Sequence, residues 1–309
     1  MLKIKEKNKF IENGYLVLPR IFDTKKLKSL QEKLKILNPN VKDIFFKNFK
    51  TFKKNAKFSK ITPGLIKHNI LLDKSINLDC IEKNKEFNRI LKTFFGAEFS
   101  IESKWLIKIL PKKIMPKWLS EEISDIGMPQ LNMYIKNKYR DVSYLNGLDF
   151  HQNNGGKLKN ATTVLIYLDS VLSDDQGPIR ILDKTHILGA THYPHYCRIS
   201  SNKKYIYYSD LKGNHILTKQ VPILGSCGTT IFFNGYTLHG SFINDDLKKT
   251  RLALRYVFSP NKLNKDSLFA KSNKKIFTKS FYLKNYRLDK DTNLYNQKCG
   301  RVINYVRQK

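Results

Sequence analysis

Apolar residues repeat along this chain with two different periods. In the first third they recur every three to four positions, the spacing of a helix face; from about residue 130 onward they recur every second position, the spacing of a strand face. Residues 10–20 read FIENGYLVLPR. Gly14 breaks a short helical start, Tyr15–Leu18 suits a strand, and Pro19 ends it. Asp23 then offers an N-cap, and Leu27, Leu30, Leu34 and Leu37 fall on one helical face before Pro39 stops the helix. Residues 41–60 hold seven Lys, one Asp and Phe45, Phe46, Phe49, Phe52 and Phe58. The shared face of Phe45, Phe49 and Phe52 predicts an amphipathic helix with Phe inward and Lys outward. The same interleaving of basic and aromatic residues also suits nucleic acid or an anionic membrane surface.

The two-residue period marks QLNMYI (130–135), TTVLIYL (162–168), PIRIL (178–182), TTIFF (229–233) and RLALRYVF (251–258), separated by runs such as Asn153-Asn154-Gly155-Gly156 and Asn244-Asp245-Asp246. Several short strands divided by turns predict a β-sandwich or barrel-like core. Residues 261–309 are rich in Lys, Asn and Tyr with weak periodicity, and read as a basic C-terminal extension rather than a second domain. The expected organisation is one domain over 1–260, with N-terminal helices and strands over 1–125 and a β core over about 126–260.

Composition narrows the function classes. With 309 residues and 41% hydrophobic side chains the chain has material for a sizeable core. No apolar run reaches the roughly 18 residues of a membrane-spanning helix. The first residues, MLKIKEK, lack the apolar segment of a secretory signal. The four cysteines are scattered with no CxxC pair, which suits free thiols in a reducing compartment. A cytoplasmic location is therefore expected. The formal net charge is +31, and ten of the 57 basic residues are Arg. Such a potential attracts polyanions. The lysines are nevertheless spread over the whole chain, and no helix-turn-helix, zinc-finger or RNA-binding aromatic motif accompanies them. A small anionic substrate suits the charge equally well.

Chemistry concentrates in three pieces: Asp149-Phe150-His151-Gln152-Asn153, Leu238-His239-Gly240-Ser241 and Arg251-Leu252-Ala253-Leu254-Arg255. Residues i and i+2 of a strand share a face, so His151 and residue 153 can meet His239 from a distant strand inside a barrel. Two His and a carboxylate on one face of an Fe(II) ion leave positions open for a chelating cosubstrate and dioxygen. An Arg about a dozen residues beyond the second His, on the next strand, can hold a distal carboxylate in a bidentate pair.

These pieces, in this order, resemble the phytanoyl-CoA dioxygenase family of Fe(II)/2-oxoglutarate oxygenases. Asn13-Gly14-Tyr15-Leu16-Val17-Leu18-Pro19 resembles the family's opening, and His151-Gln152-Asn153 falls where the family has His-x-Asp. Leu165–Val171, Gly177–Leu182 and Thr185-His186 resemble its central stretch; His239-Gly240-Ser241, Asn244 and Arg251 resemble its distal His and cosubstrate arginine. The likeness runs from about residue 9 to 258. It implies a mainly β protein with flanking helices and a double-stranded β-helix (jelly-roll, cupin-like) core. It also implies Fe(II) and 2-oxoglutarate as cofactors, and hydroxylation of a small or lipid-like metabolite coupled to decarboxylation of 2-oxoglutarate to succinate. By the same resemblance His151, residue 153 and His239 are the metal ligands and Arg251 takes the C5 carboxylate.

Two departures matter. The ligand position 153 is Asn, a neutral and weaker donor than a carboxylate, and Thr229 stands where the family has Asp after Gly228. Three outcomes are open at position 153: ligation through the amide oxygen, substitution by Asp149 on the same strand face, or a metal-free scaffold that binds without turnover. Gln130, Asn132 and Tyr134 alternate onto one face and are candidates to line the cosubstrate pocket; Arg255 shares the face of Arg251 and is a second candidate for the carboxylate. His186 reads as a loop-ordering residue. The THYPHY run at 191–196 falls in an insertion where this family shapes its substrate pocket.

Overall fold

The computed structural model describes residues 2–37, 43–56, 71, 76–96, 98–123, 134–139, 141–145, 150–153, 161–188, 195–199, 205–210, 215–241, 244–246 and 249–274. Helix α1 (Ile4–Asn13) ends at Gly14, whose φ of 80° puts it in the left-handed region that closes a helix and lets β1 (Tyr15–Leu18) follow at once. Asp23 caps α2 (Thr24–Ile36), its carboxylate accepting from the Lys26 N–H at 2.9 Å. Leu27, Leu30 and Leu34 are buried, as their spacing predicts. The Phe-rich segment forms the shorter helix α3 (Phe49–Ala56), and Phe45 instead bridges to Ile135. Phe45, Phe46 and Phe52 are buried. Phe58 lies outside the described residues.

A short turn of helix, α4 (Asp79–Glu82), leads into α5 (Lys85–Phe95), which Asn84 caps by accepting from Phe87 N–H. Its face of Phe87, Ile90, Leu91, Phe94 and Phe95 is entirely buried. Then come β2 (Phe99–Ile109), α6 (Lys117–Ile123), β3 (Ser143–Leu145), β4 (Thr162–Tyr167) and β5 (Ile179–Leu182). The chain continues through β6 (His195–Ile199), β7 (Tyr205–Asp210), β8 (His215–Pro222), β9 (Thr230–Asn234), β10 (His239–Ser241), β11 (Arg251–Pro260) and α7 (Leu268–Lys274). The predicted strands at 162–168, 178–182, 229–233 and 251–258 correspond to β4, β5, β9 and β11. In the predicted 130–135 strand, residues 130–133 lie outside the described residues, and Tyr134 and Ile135 form a 3₁₀ turn and an isolated bridge.

The strands form two sheets. One has six strands in the order β1-β9-β4-β11-β2-β3, antiparallel except for β2 with β3; the other has five, in the order β10-β5-β8-β7-β6. Alternation along each strand of the larger sheet divides the apolar side chains between two cores. Leu106, Val164, Ile166, Phe232, Leu254 and Tyr256 face the helices, where Phe94 stacks on Phe232 at 4.9 Å and meets Phe10 edge-on at 4.6 Å. Ile107, Ile109, Leu165, Tyr167, Ile231, Phe233 and Ala253 face the other way and pack with Ile179, Ile181 and Val221 of the smaller sheet. The space between the sheets is thus a second, separate core. The β11–β2 ladder slips register between Val257 and Phe258, where Val257 pairs Ser103 and Phe258 pairs Ile101, leaving Glu102 as a bulge.

Helix α7 packs on α1 and α5, with Phe269 buried 6.0 Å from the Phe95 ring. It belongs to the stretch that the sequence reads as an extension. Cys80 and Cys227 are half-buried free thiols. Among the described residues no helix is long and apolar enough to cross a membrane.

Candidate functional site: a histidine pair between the sheets

The site begins at a turn. β9 ends at Asn234, and the chain reverses through Gly235–Leu238 to start β10 at His239. This turn is held from three sides. Asn234 N–H and the Thr237 hydroxyl both donate to the Gly14 carbonyl, each at 2.9 Å. Gln152 Nε2 donates to Tyr236 O at 2.7 Å, Asn153 N–H donates to Gly235 O at 3.0 Å, and Asn234 Nδ2 donates to Asn273 Oδ1 of α7 at 2.7 Å. The α1–β1 junction, the 150–153 segment and α7 therefore all fix where His239 starts.

His151 and His239 form an antiparallel bridge, exchanging backbone hydrogen bonds of 2.9 and 3.0 Å. Their rings lie 4.4 Å apart between centroids. His239 is buried against Phe233, again at 4.4 Å. Its Nδ1 donates to Thr237 O at 2.9 Å, which fixes the tautomer and leaves the Nε2 lone pair directed at the site. Burial first, and then the neighbouring His151 and Arg255, hold its pKa well below the ordinary histidine value, against the Thr237 hydrogen bond that raises it. It is a neutral imidazole, the form that binds metals. Asn153 lies beside it: its Nδ2 donates to His239 Nε2 and to Thr163 Oγ1, both at 3.2 Å.

The two arginines of β11 lie at different depths. Thr163, which touches Asn153, is opposite Val257, and Leu165 is opposite Arg255. Arg255 is thus two residues from the row of the histidine pair, and Arg251 six residues from it: roughly 7 and 20 Å of strand at ~3.3 Å per residue. Arg255 shares the inner face with Trp105, its partner on β2. Its Nε is buried without a hydrogen-bond partner among the described residues, and burial pushes its pKa down to about 10. Arg251 is buried at the other end of the strand, its guanidinium 5.0 Å from the centre of the Tyr167 ring.

Of the residues singled out in the sequence, the structure therefore gathers His151, Asn153 and His239, brings Arg255 close to them, and sets Arg251 apart. Gln130, Asn132 and Asp149 lie outside the described residues. Tyr134 belongs to the helix-side core, 5.1 Å from Phe52 between ring centroids. His186 is buried, its Nε2 donating to the Ile11 carbonyl at 3.1 Å. In the 191–196 run only His195 and Tyr196 are described, as the start of β6. Thr229 fills the space above Gly225, where a Cβ would meet its Oγ1 at 2.3 Å. Thr163 and Phe233 escaped the sequence reading: they look like ordinary strand residues, and only the pairing of β4 with β9 brings them to the histidines.

A pair of imidazoles, that of His239 held neutral, fits a divalent transition metal. Position 153 fits less well, because the amide nitrogen, not the oxygen, faces the pair. Among the described residues no group of three or more His, Cys, Asp or Glu forms a metal cluster. With Arg255 alongside, the described donor set carries no negative charge of its own. It suits a metal in company with an anionic chelator, which supplies that charge.

No family model matches the chain, and no curated protein matches it. Solved structures do. SnoN, a non-heme alpha-ketoglutarate-dependent epimerase from nogalamycin biosynthesis, shares 10% identity over 83% of this chain and 81% of its own, with a TM-score of 0.47. EvdO2 from Micromonospora carbonacea var. aurantiaca shares 12% over 86% and 95%, with a TM-score of 0.49. HygX from Streptomyces hygroscopicus, with nickel and 2-oxoglutarate bound, shares 12% over 84% and 88%, with a TM-score of 0.44. At these values the likeness concerns the general course of the chain.

Proposed function

We propose that this chain is a non-heme Fe(II)/2-oxoglutarate-dependent oxygenase of the phytanoyl-CoA dioxygenase type, built on a double-stranded β-helix and acting on a small or lipid-like metabolite. The observation that carries the reading is the His151–His239 bridge, with the Nε2 lone pair of His239 presented between two sheets near the half-buried Arg255. In this reading His151 and His239 hold the iron and Asn153 occupies the third protein position. Iron held there would activate dioxygen with 2-oxoglutarate as co-reductant: one oxygen atom would end in succinate as 2-oxoglutarate loses carbon dioxide, and the other in the hydroxylated substrate. Arg255 is the nearer cation for a cosubstrate carboxylate, although the family resemblance assigns that role to Arg251. Phe233 and Ile231 keep this end of the site apolar, which strengthens any charge pairing made there.

A second reading has its own support. The Asn153 amide nitrogen faces the lone pair that a metal needs, the arrangement of a scaffold that binds a ligand without turnover. Anaerobic titration with Fe(II) and 2-oxoglutarate separates the two. The oxygenase reading expects a visible metal-to-ligand charge-transfer band in the native protein. It also expects Asn153→Asp, by restoring one negative charge, to tighten Fe(II) binding at least tenfold, about 1.4 kcal/mol. A folded native protein with no band overturns the oxygenase reading. A band that appears only in Asn153→Asp identifies a site disabled by that one substitution.

A further inference from the structure

The space between the sheets opens at one edge. Along β5, Ile179 and Ile181 face the inner core, and Asp183 comes next in the alternation; along β8, Ile223 and Val221 face it, and Lys219 comes next. Asp183 is half-buried and Lys219 exposed, so this end of the two strands is the rim of the chamber. His239 is opposite Ile181, which places Asp183 two residues, about 7 Å of strand, outside the histidine row. Tyr15 faces the same space from β1, opposite the Phe233 ring that touches His239. The turn after β5 brings the two together. Lys184, in the left-handed region at a φ of 62°, donates its N–H to Asn13 O at 3.0 Å, and Asp183 N–H donates to Lys219 O at 3.0 Å.

Asp183 Oδ1 is buried and has no hydrogen-bond partner among the described residues. The Tyr15 phenol feels the Asp183 charge without a hydrogen bond between them. Burial, with that charge adding to it, pushes the phenol up to about 12; burial also raises the Asp183 pKa, against the pull of Lys184, Lys219 and Lys9. A carboxylate only accepts, and a phenol both donates and accepts, so one hydroxyl group set between them satisfies both. An apolar group there would leave the carboxylate bare. An ammonium would join three lysines that already act on one carboxylate. We propose that Tyr15 and Asp183 bind a hydroxyl group of the substrate at the mouth of the histidine chamber, and that the substrate is an uncharged alcohol or polyol at this end. That the occupant is a substrate rests on the oxygenase reading; that it is held through a hydroxyl does not.

The test is calorimetric titration of the full-length protein, held anaerobically with Fe(II) and 2-oxoglutarate, using vicinal cyclohexanediol as the probe. Saturable binding of the diol is expected. Its dimethyl ether, which cannot donate, should bind more weakly by about tenfold or more, and vicinal diaminocyclohexane no better than the ether. Asp183→Asn should weaken diol binding by about tenfold or more. Should that variant fail to fold, Tyr15→Phe, which keeps the buried ring, should still weaken it several-fold. Lys219→Gln should leave the affinity unchanged. No saturable binding of the diol overturns the proposal, as does binding of the ether or the diamine as tight as that of the diol. So does an affinity that neither Asp183→Asn nor Tyr15→Phe changes, or one lost in Lys219→Gln, because lysine would then hold the ligand. The oxygenase reading fails separately. A charge-transfer band without diol binding sinks the hydroxyl site alone; diol binding without a band leaves a scaffold that binds alcohols without turnover.

Discussion

Lys108 shows how one buried side chain can be expensive to the fold. Its ammonium donates to Leu37 O at the end of α2, and burial depresses its pKa to about 8, against a smaller upward pull from Asp141. The unfolded chain holds that proton up to about 10.4. Below pH 8 both states are charged and the full burial penalty applies. As pH rises from about 8 to 10.4 the native side chain loses its proton first, so the penalty shrinks. The native protein should therefore gain stability across that window relative to Lys108→Met, by up to about 3 kcal/mol. Urea denaturation at pH 7.5 and 10 measures it; a gap between the two proteins that does not change with pH would remove the buried ammonium from the account. At this scale the sequence was partly legible. The two histidines and Asn153 were found from a motif that keeps its spacing. The nearness of Arg255 was not, because it depends on which residues of β4 and β11 face each other, a register that no local pattern records.

Elements set where those residues go, and Gly14 is a junction on which several depend. Its φ of 80° ends α1, and its carbonyl holds the turn before His239. A Cβ there would meet His186 Nδ1 at 2.4 Å and Thr237 Oγ1 at 2.7 Å. Gly14→Ala combines left-handed strain with overpacking, and should cost about 2–4 kcal/mol in denaturant titration. It should also displace His239, visible as weaker metal binding in protein that remains folded. The strands β4, β5, β9 and β11 were legible because they are uniform apolar or alternating runs. β2 was not: its first half, Phe99–Lys104, is exposed or half-buried and carries Glu102 and Lys104, so its hydropathy reads as loop although its backbone pairs β11 over ten residues. β6 to β8 mix Tyr with scattered polar residues and show no clean alternation, and their pairing with one another supplies what composition hid.

For the whole molecule, the larger sheet is a partition. Its helix side is a conventional aromatic core, and its other side is the chamber where the chemistry is proposed. α7 closes the first and reaches the second, since Phe269 fills the helix side while Asn273 accepts from Asn234 at the turn that presents His239. Phe269→Ala should lose about 3–5 kcal/mol of unfolding free energy, with a fall in melting temperature by calorimetry. A shift within 1 °C would mean that α7 does not brace the body.

The slip in the β11–β2 ladder gives the sheet a point of slack. That point, Glu102, lies between the exposed start of β2 and the Trp105–Arg255 pair. Changes in length or strain at Gly96–Phe99 can be taken up where the ladder already yields, instead of travelling down the strand as a shift of one residue. Such a shift would turn Trp105, Ile107 and Ile109 of β2 to the helix side at once. A single loose pairing near the rim thus protects the inner face of β2, and the Trp105–Arg255 pairing with it, from evolutionary drift in the segment outside it.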